Sequence, residues 1–598
     1  MFETEQGALE THIREYCSAN AIPLGEVRWL PIPFAGEWGV STSFFAAAAA
    51  EAKMGKGPGG PVPKRAQEIA DAVRSALGAS EGFSRVEALN GYLNLYFSTA
   101  EYARRVVDEA VEKGVDFGAG GAKGQQLMVE FSHPNTHKAF HVGHLRGTIL
   151  GDALCRILEF AGHEVIRANY PGDMGLHVIR WLWAYLKYHN GEEPEADITN
   201  WMGKVYADAI RRLEENPEFE AEVRAVYARW DRRDPEIVAL WQRTRQWSLD
   251  GFNQMYEALD IRFDVYYFNS QEEEVGKEIV EELISSGIAI DERAQGGAVL
   301  VKIDEILGLR KEMYRTAVIL RSDGTALYAT EDLALTLHKF RDHPGLARSI
   351  YVVDVRQSLH FTQVFKILEI ARFEEAKKSL HVSYELVTLP GNVVMSSREG
   401  TVVLLEDLIR EAILRAYGVV KEKNPALTEE QMQSVAKAVG LGALKYPMLA
   451  RENTRLVTFD WESALDFSGQ AAPYVQYAQV RCNSILRKAG VDGGEADSKQ
   501  ADKGVFFAYE LHTAEVELIE LISRFPVEVQ RAAAEYKPLI IANLAYELAK
   551  AFTSFYDQCP VIQADPPLRD SRLRLVTAAR NTMVNALRLL GIEAPEVM

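Results

Sequence analysis

Cysteine is scarce. Cys17, Cys155, Cys482 and Cys559 are the only four in 598 residues, far apart and without a C-x-x-C pair. That spacing argues against a disulfide framework or a thiolate zinc site and points to a reducing compartment. Positive charge is also in deficit, with 66 Lys+Arg against 85 Asp+Glu and a net charge of −19. A protein that coats nucleic acid through a global basic field is thereby excluded, although a local basic groove is not. No apolar run reaches membrane-span length, and "FFAAAAAEAK" is far too short. The start "MFETEQGALE" lacks the basic-then-apolar pattern of a signal peptide. The expectation is a soluble, cytoplasmic protein without membrane contact. The glycine-rich "GAGGAKG" (118–124) has neither G-x-G-x-x-G nor G-x-x-x-x-G-K spacing and reads as a linker.

What is present is a large apolar fraction, 47%, in a chain too long for one core, so several domains are expected. Residues 1–117 read as a mixed α+β domain ending in the strand-like "NGYLNLYFS". Residues 118–395 read as a Rossmann-like α/β domain with a parallel sheet. There the strand "QQLMVEF", the helix "LRGTILGDALCRILEFAG" capped by Gly162, and the strand "EVIRANY" make a βαβ unit. A helical, tryptophan-rich insertion is expected at about 181–316. Beyond it, "TAVILRSDGTALYAT" suggests two strands around an Asp-Gly turn. Residues 396–465 read as a loop and connecting region, and 466–598 as all-α.

One stretch concentrates chemistry: "HPNTHKAFHVGHLRG", residues 133–147. His141 and His144, three apart at a predicted helix start, share a face. The same place offers unpaired backbone N–H groups and the positive end of the helix dipole, which suit an anion. Gly143 lets a flat ring approach the backbone, and Lys138 adds a cation. These parts suit a nucleotide's adenine and phosphates, but an isolated H-x-G-H is as readily a helix cap or a satisfied core pair. Nearby acids lack an obvious metal-ligand spacing. Asp332, four residues after Tyr328, is placed either to line a pocket with it or to cap a helix.

The surrounding block, "VEFSHPNTHKAFHVGHLRGTILGDALCRILEFAGHEVIRANYPGDMG", resembles the HIGH-signature block of the arginyl-tRNA synthetases, a class I family. "SDGTALYATEDLA" (322–334), "YVVDVRQSLHFTQVFKIL" and "MSSREGTVV" (395–403, its version of the KMSKS loop) are similar to further segments of that family. "DFSGQAAPYVQYAQVRCNSILRKAG" resembles the opening of its helical anticodon-binding domain. The resemblance runs from about residue 85 to the C-terminus.

It implies ATP-dependent activation of L-arginine to an adenylate and transfer to the 3′ end of tRNA-Arg. Magnesium would accompany ATP, with no structural metal, no DNA partner and a monomeric chain. Matched residue by residue, Lys138, His141, His144 and Arg398 would be catalytic. Met395, Ser396 and Ser397 would join the two histidines, Gly143 and Arg398 around ATP. Glu130, Phe131, Asn135, Tyr328, Asp332 and Gln357 would contact arginine, with His144 near its carboxylate. Tyr474, Tyr477, Tyr546 and Met598 would meet the anticodon arm, and Tyr92 and Asn94 the tRNA elbow; the two helix tyrosines also suit a core. Arg180, Arg211, Arg212, Arg232 and Arg233 of the insertion would approach the acceptor end, or simply dress a solvent face. The loop V-M-S-S-R lacks both lysines of K-M-S-K-S, so the resemblance implies that Lys138 and Arg398 share the phosphate role.

Overall fold

The structure is a computed structural model that describes residues 3–78, 82–389, 393–394, 404–491 and 506–598. It forms two compact units that are not contiguous in sequence. One combines Met1–Phe117 with Arg481–Phe525 and Glu547–Val584; the other combines Gly118–Val480 with Pro526–Tyr546 and Asn585–Met598.

In the first unit, strands Leu30–Pro31, Gly39–Ser43, Tyr92–Phe97 and Phe83–Leu89 form, in that spatial order, an antiparallel sheet. Its alternation buries Leu93, Leu95 and Phe97, and Leu93 joins a core with Ile13, Ala66 and Ile69 from helices Glu3–Ala19 and Val62–Leu77 and Ala47 from Phe45–Lys53.

The second unit is built on a five-stranded sheet of β1 (Gln126–Glu130), β2 (Glu164–Asn169), β3 (Val265–Tyr266), β4 (Leu346–Asp354) and β5 (Ser379–Tyr384). The order is β5-β4-β1-β2-β3, and every pairing is parallel. The order reverses between β1 and β4, and in such sheets the crevice beyond the carboxyl ends at the reversal is where ligands bind. Helix α1 (Val142–Phe160) follows β1 and ends as expected: Gly162 adopts φ +99°, and its N–H donates to the Glu159 carbonyl. α1 presses close to the sheet because Gly151 has no side chain; a Cβ there would sit 2.2 Å from Phe131 Cγ.

The region from residue 181 to 316 differs from a simple insertion. Helices α2 (Leu176–Tyr188), Ile198–Glu215, Glu220–Asp231 and α3 (Pro235–Ala258) share a core of Trp181, Tyr185, Trp230 and Trp241. The chain then returns to give the sheet its edge strand β3 before entering α4 (Asn269–Ser285) and the antiparallel strands Ile290–Asp291, Val299–Lys302 and Thr316–Leu320. Two residues of strand carry no periodicity a sequence reader could detect.

The expected second strand in "TAVILRSDGTALYAT" is reduced to one bridge, Leu320 to Ala326. Helix α5 (Tyr328–Asp342) starts immediately after, because the Thr330 hydroxyl accepts the Leu327 N–H at 3.0 Å and satisfies a helix-start donor. Helix α6 (Ser358–Ile370) follows β4. Four long helices, Ala472–Lys488, Thr513–Glu535, Leu539–Gln558 and Pro566–Leu589, make the C-terminal part helical as expected.

Candidate active site

Between β1 and α1 the chain takes a strained path. Ser132, His133 and His137 all have positive φ (82°, 50° and 60°), an arrangement that persists only when its surroundings over-determine it. They do. The Ser132 hydroxyl is 2.8 Å from the Tyr256 hydroxyl of α3 and accepts from Thr148 at 2.9 Å. His137 is fully buried, with its ring nitrogens 2.9 Å from Thr136 Oγ1 and 2.8 Å from Thr244 Oγ1, and its N–H donates to Ser248 at 2.9 Å. Helix α3 therefore holds the loop that leads to the histidine signature.

His141 is the N-cap of α1, and its Nδ1 accepts the Gly143 N–H at 3.1 Å. The ring covering Gly143 is thus His141's own imidazole; a Cβ there would lie 2.7 Å from His141 Cε1. The His141 and His144 rings stack, centroids 4.1 Å apart. Burial, and then the charge of Lys138, push His141 down to about 4. Burial, and then His141, push His144 well below its ordinary value. Both are therefore held neutral near pH 7. Among the described residues, the buried Nδ1 of His144 has no hydrogen-bond partner.

Lys138 is half-buried, its ammonium 5.1 Å from the Tyr206 ring centroid, and its charge reaches His141, His144 and His177. Met395, Ser396, Ser397 and Arg398 lie outside the described residues. The chain after them returns to the signature, where the Leu405 N–H donates to Phe140 at 2.9 Å.

On the other side of the crevice stand the carboxylates. Glu130, last in β1 and buried, pairs with Lys339 of α5 at 2.5 Å and His133 at 3.0 Å. Burial alone would raise its carboxyl, but the Lys339 ammonium and His133 hold it down to about 2. Asp332 of α5 is 9% exposed, its Oδ2 2.5 Å from His360 Nε2 of α6. Asn135 bridges to Gly172 through its backbone, and its Oδ1 would lie 2.5 Å from a Cβ at Gly172. The Phe131 ring is fully buried against Gly151 and Phe263, which leaves only its main chain to face a ligand. Tyr328, 73% exposed, and Gln357, exposed on the turn before α6, stand at the rim.

Sequence reasoning missed Lys339, His133 and His360, the partners of these carboxylates, since nothing in their spacing shows which chain segments meet. It also passed over Arg146 of the H-L-R triplet. This buried guanidinium donates to the carbonyls of Glu385 at 2.5 Å, Arg455 at 2.7 Å and Glu452 at 3.1 Å, fastening α1 to the segments beyond β5.

The residues expected on RNA surfaces are scattered. Tyr92 is 39% exposed on its strand, with its ring edge against Phe45, and Asn94 accepts from Ser41 at 2.7 Å. Tyr477 is 40% exposed, while Tyr474 and Tyr546 pair at 5.5 Å. The Met598 carbonyl accepts from Asn424 at 3.1 Å. In the insertion, Arg180 pairs with Glu220 and Arg211 and Arg212 with Asp208, whereas Arg232 and Arg233 are exposed.

Comparison with known proteins agrees with this layout. Residues 106–461 match the family model for class I (R) tRNA synthetase catalytic domains, and residues 475–598 that for the DALR anticodon binding domain. An arginine–tRNA ligase of Bdellovibrio bacteriovorus is 35% identical over 88% of this chain and 89% of its own. One of Clostridium perfringens is 35% identical over 87% and 88%. Among solved structures, the Thermus thermophilus arginyl-tRNA synthetase superposes with a TM-score of 0.75 at 27% identity, covering 99% of each chain. With two family models accounting for most of its length, and relatives of this identity along nearly all of it, the chain belongs to the class I arginyl-tRNA synthetases.

Proposed function

We propose that this chain is an arginine–tRNA ligase that works in two steps at the crevice between β1 and β4. First, an arginine carboxylate oxygen attacks the α-phosphorus of ATP in line, the bond to pyrophosphate breaks, and arginyl-adenylate remains. Then a terminal ribose hydroxyl of tRNA-Arg attacks the arginyl carbonyl, a proton is lost, and AMP leaves. Magnesium enters with ATP, bound to its phosphates.

The observation that carries this reading is the stacked, neutral pair His141 and His144 at the start of α1, together with the buried carboxylates Glu130, at the end of β1, and Asp332, on α5. The imidazole N–H groups, beside Gly143, receive phosphate oxygens where charge develops, and Lys138 adds the cation. Such catalysis is positioning plus preorganised electrostatics. In this reading Ser396, Ser397 and Arg398 close over the phosphates beside Met395. Asp332 takes the guanidinium, with Tyr328 and Gln357 at the rim. Glu130 and Asn135 take the α-amino and carboxylate end together with the Phe131 main chain. Admission of arginine displaces His360 from Asp332. Lysine and citrulline would leave the buried carboxylate poorly paired, a mismatch that rejects competitors by about 10⁴ without editing.

For tRNA, exposed Tyr477 offers a stacking face, with Tyr474 and Tyr546 paired nearby on Ala472–Lys488 and Leu539–Gln558, Met598 beside Asn424, and Tyr92 and Asn94 on the first-unit sheet. The chain acts as a monomer in the cytoplasm. ATP–pyrophosphate exchange with arginine, lysine and citrulline, each with and without tRNA, tests the proposal. Exchange with arginine alone supports it, and equal exchange with lysine rejects it.

A further inference from the structure

The first turn of α5 and the end of β2 hold two groups the site above leaves unused. Glu331, next to Asp332, accepts a short hydrogen bond from the Asn269 side chain at the start of α4. Asn269 and Asn135 flank Gly172: a Cβ there would lie 3.7 Å from Asn269 Oδ1 and 2.5 Å from Asn135 Oδ1. Glu331 therefore stands against the candidate pocket. The charged groups acting on it are Asp332 on its own helix, Glu273 on α4 and Asp173 beyond β2, all acidic. Asp173 is already paired with Arg245 at 2.9 Å.

Burial first, and then the charges of Asp332, Glu331, Glu272 and Glu130, push the phenol of Tyr170, just past β2, well above its ordinary value. Its buried hydroxyl has no hydrogen-bond partner among the described residues. A buried and a half-buried carboxylate side by side, with an unmatched buried phenol acting on both, are unfavourable when left as they are. A planar cation with five N–H donors, presented along more than one edge, completes such an arrangement, whereas an ammonium on a flexible stem fits it poorly.

We propose that Glu331 is a second guanidinium-binding carboxylate, to which the Tyr170 hydroxyl donates once arginine is bound, so that arginine is selected by two successive acidic residues of α5. This rests on the reading of Asp332 as the first. Arginine entry is then a proton-releasing event. Burial first, and then the charges of Asp332, Glu273 and Asp173, against the opposing Asn269 hydrogen bond, push Glu331 up to about 8. Near pH 7 the free protein holds it protonated, and the guanidinium binds it ionised. Affinity for arginine therefore rises with pH through the 6.5–8.5 range, by up to about tenfold per unit. The other titratable groups facing this corner are Tyr328 on α5, Tyr170, and His360 across Asp332.

The test compares wild type, Glu331→Gln, Tyr170→Phe and Asp332→Asn in tRNA-supported ATP–pyrophosphate exchange between pH 6.5 and 8.5. The expected result is an arginine KM about tenfold higher in Glu331→Gln, flattened against pH, with a smaller rise in Tyr170→Phe and the KM for ATP unmoved. Titration calorimetry of arginine into the full chain at pH 7, in two buffers of different ionisation heat, reads the proton directly. About one is released by wild type and none by Glu331→Gln. If Glu331→Gln keeps a wild-type KM, pH profile and proton release while Asp332→Asn loses arginine affinity, the second carboxylate is refuted and the pocket stands. If Asp332→Asn also binds arginine normally, the placement of the guanidinium itself fails.

Discussion

A single nitrogen defines the candidate site at the residue scale. His144 Nδ1 is buried and without a partner among the described residues, a cost that a ligand must relieve. His144→Ala is expected to fold normally and to lower arginine-dependent pyrophosphate exchange by about 10²–10³; activity within threefold of wild type would sink the assignment. Lys138→Ala should lower the same exchange, because the charge of Lys138 reaches both signature histidines; unchanged exchange would leave Arg398 without its proposed helper. The depressed histidines also set a pH dependence of stability. His141, at about 4, and His177, at about 3, bind fewer protons folded than an unfolded imidazole with its ordinary value of 6.5. For these histidines the sign is therefore fixed: their contribution to stability falls as pH drops from about 6.5 toward 3 and is constant above that window, whereas Glu331, raised to about 8, contributes with the opposite sign. Urea midpoints at pH 7 and pH 5 in the Glu331→Gln background, which removes the opposing carboxyl, measure it, and a higher midpoint at pH 5 would contradict it. The motif residues were legible because their types and spacing advertise their chemistry. Their neutrality was not, since it comes from burial.

Elements meet here through glycine and one buried ion pair. Gly151→Ala places a methyl on the Phe131 ring and should loosen α1 from β1 at a cost of about 1–3 kcal/mol or more, read as a lowered melting temperature; an unchanged melt would mean the helix shifts freely. Lys339→Met removes the ammonium partner of buried Glu130 and leaves it only the His133 imidazole, at a cost of about 3–5 kcal/mol. Adding Glu130→Gln should restore part of that loss, and chemical denaturation of the two variants measures the difference. The βαβ start was readable because β1, α1 and β2 are periodic and α1 ends in a left-handed glycine. The stretch after Thr316 was misread. Its β-branched and aromatic residues and its Asp-Gly turn argue for a hairpin, yet the Thr330 hydroxyl starts a helix after a single bridge. β3 is two residues long and was invisible for that reason.

At the scale of the whole chain, distant segments are joined by buried polar groups. Lys445 donates at 2.5 Å to the carbonyl of Leu259, after α3, and to that of Gly591, past the last helix. Lys445→Met should cost about 2–4 kcal/mol by leaving both carbonyls unpaired, visible as a shifted denaturation midpoint. With net charge −19, RNA affinity must come from local contacts and stacking. Tyr477→Ala is expected to raise the KM for tRNA by about fivefold to a hundredfold while leaving that for arginine alone; an equal rise in both would assign Tyr477 to the fold instead.

The amino-acid sequence by itself determined the chemistry on offer: paired histidines at a helix start, a lysine just upstream, an acid one turn into another helix, and a helical C-terminal region. These follow from residue type and from spacings of a few positions, where local geometry governs. Only the tertiary structure decided which groups stand together: Lys339 on Glu130, His360 on Asp332, Glu331 beside Tyr170. It also decided which protonation states they keep, because burial and the charges of neighbours from distant segments set those states, and no local pattern encodes such neighbours.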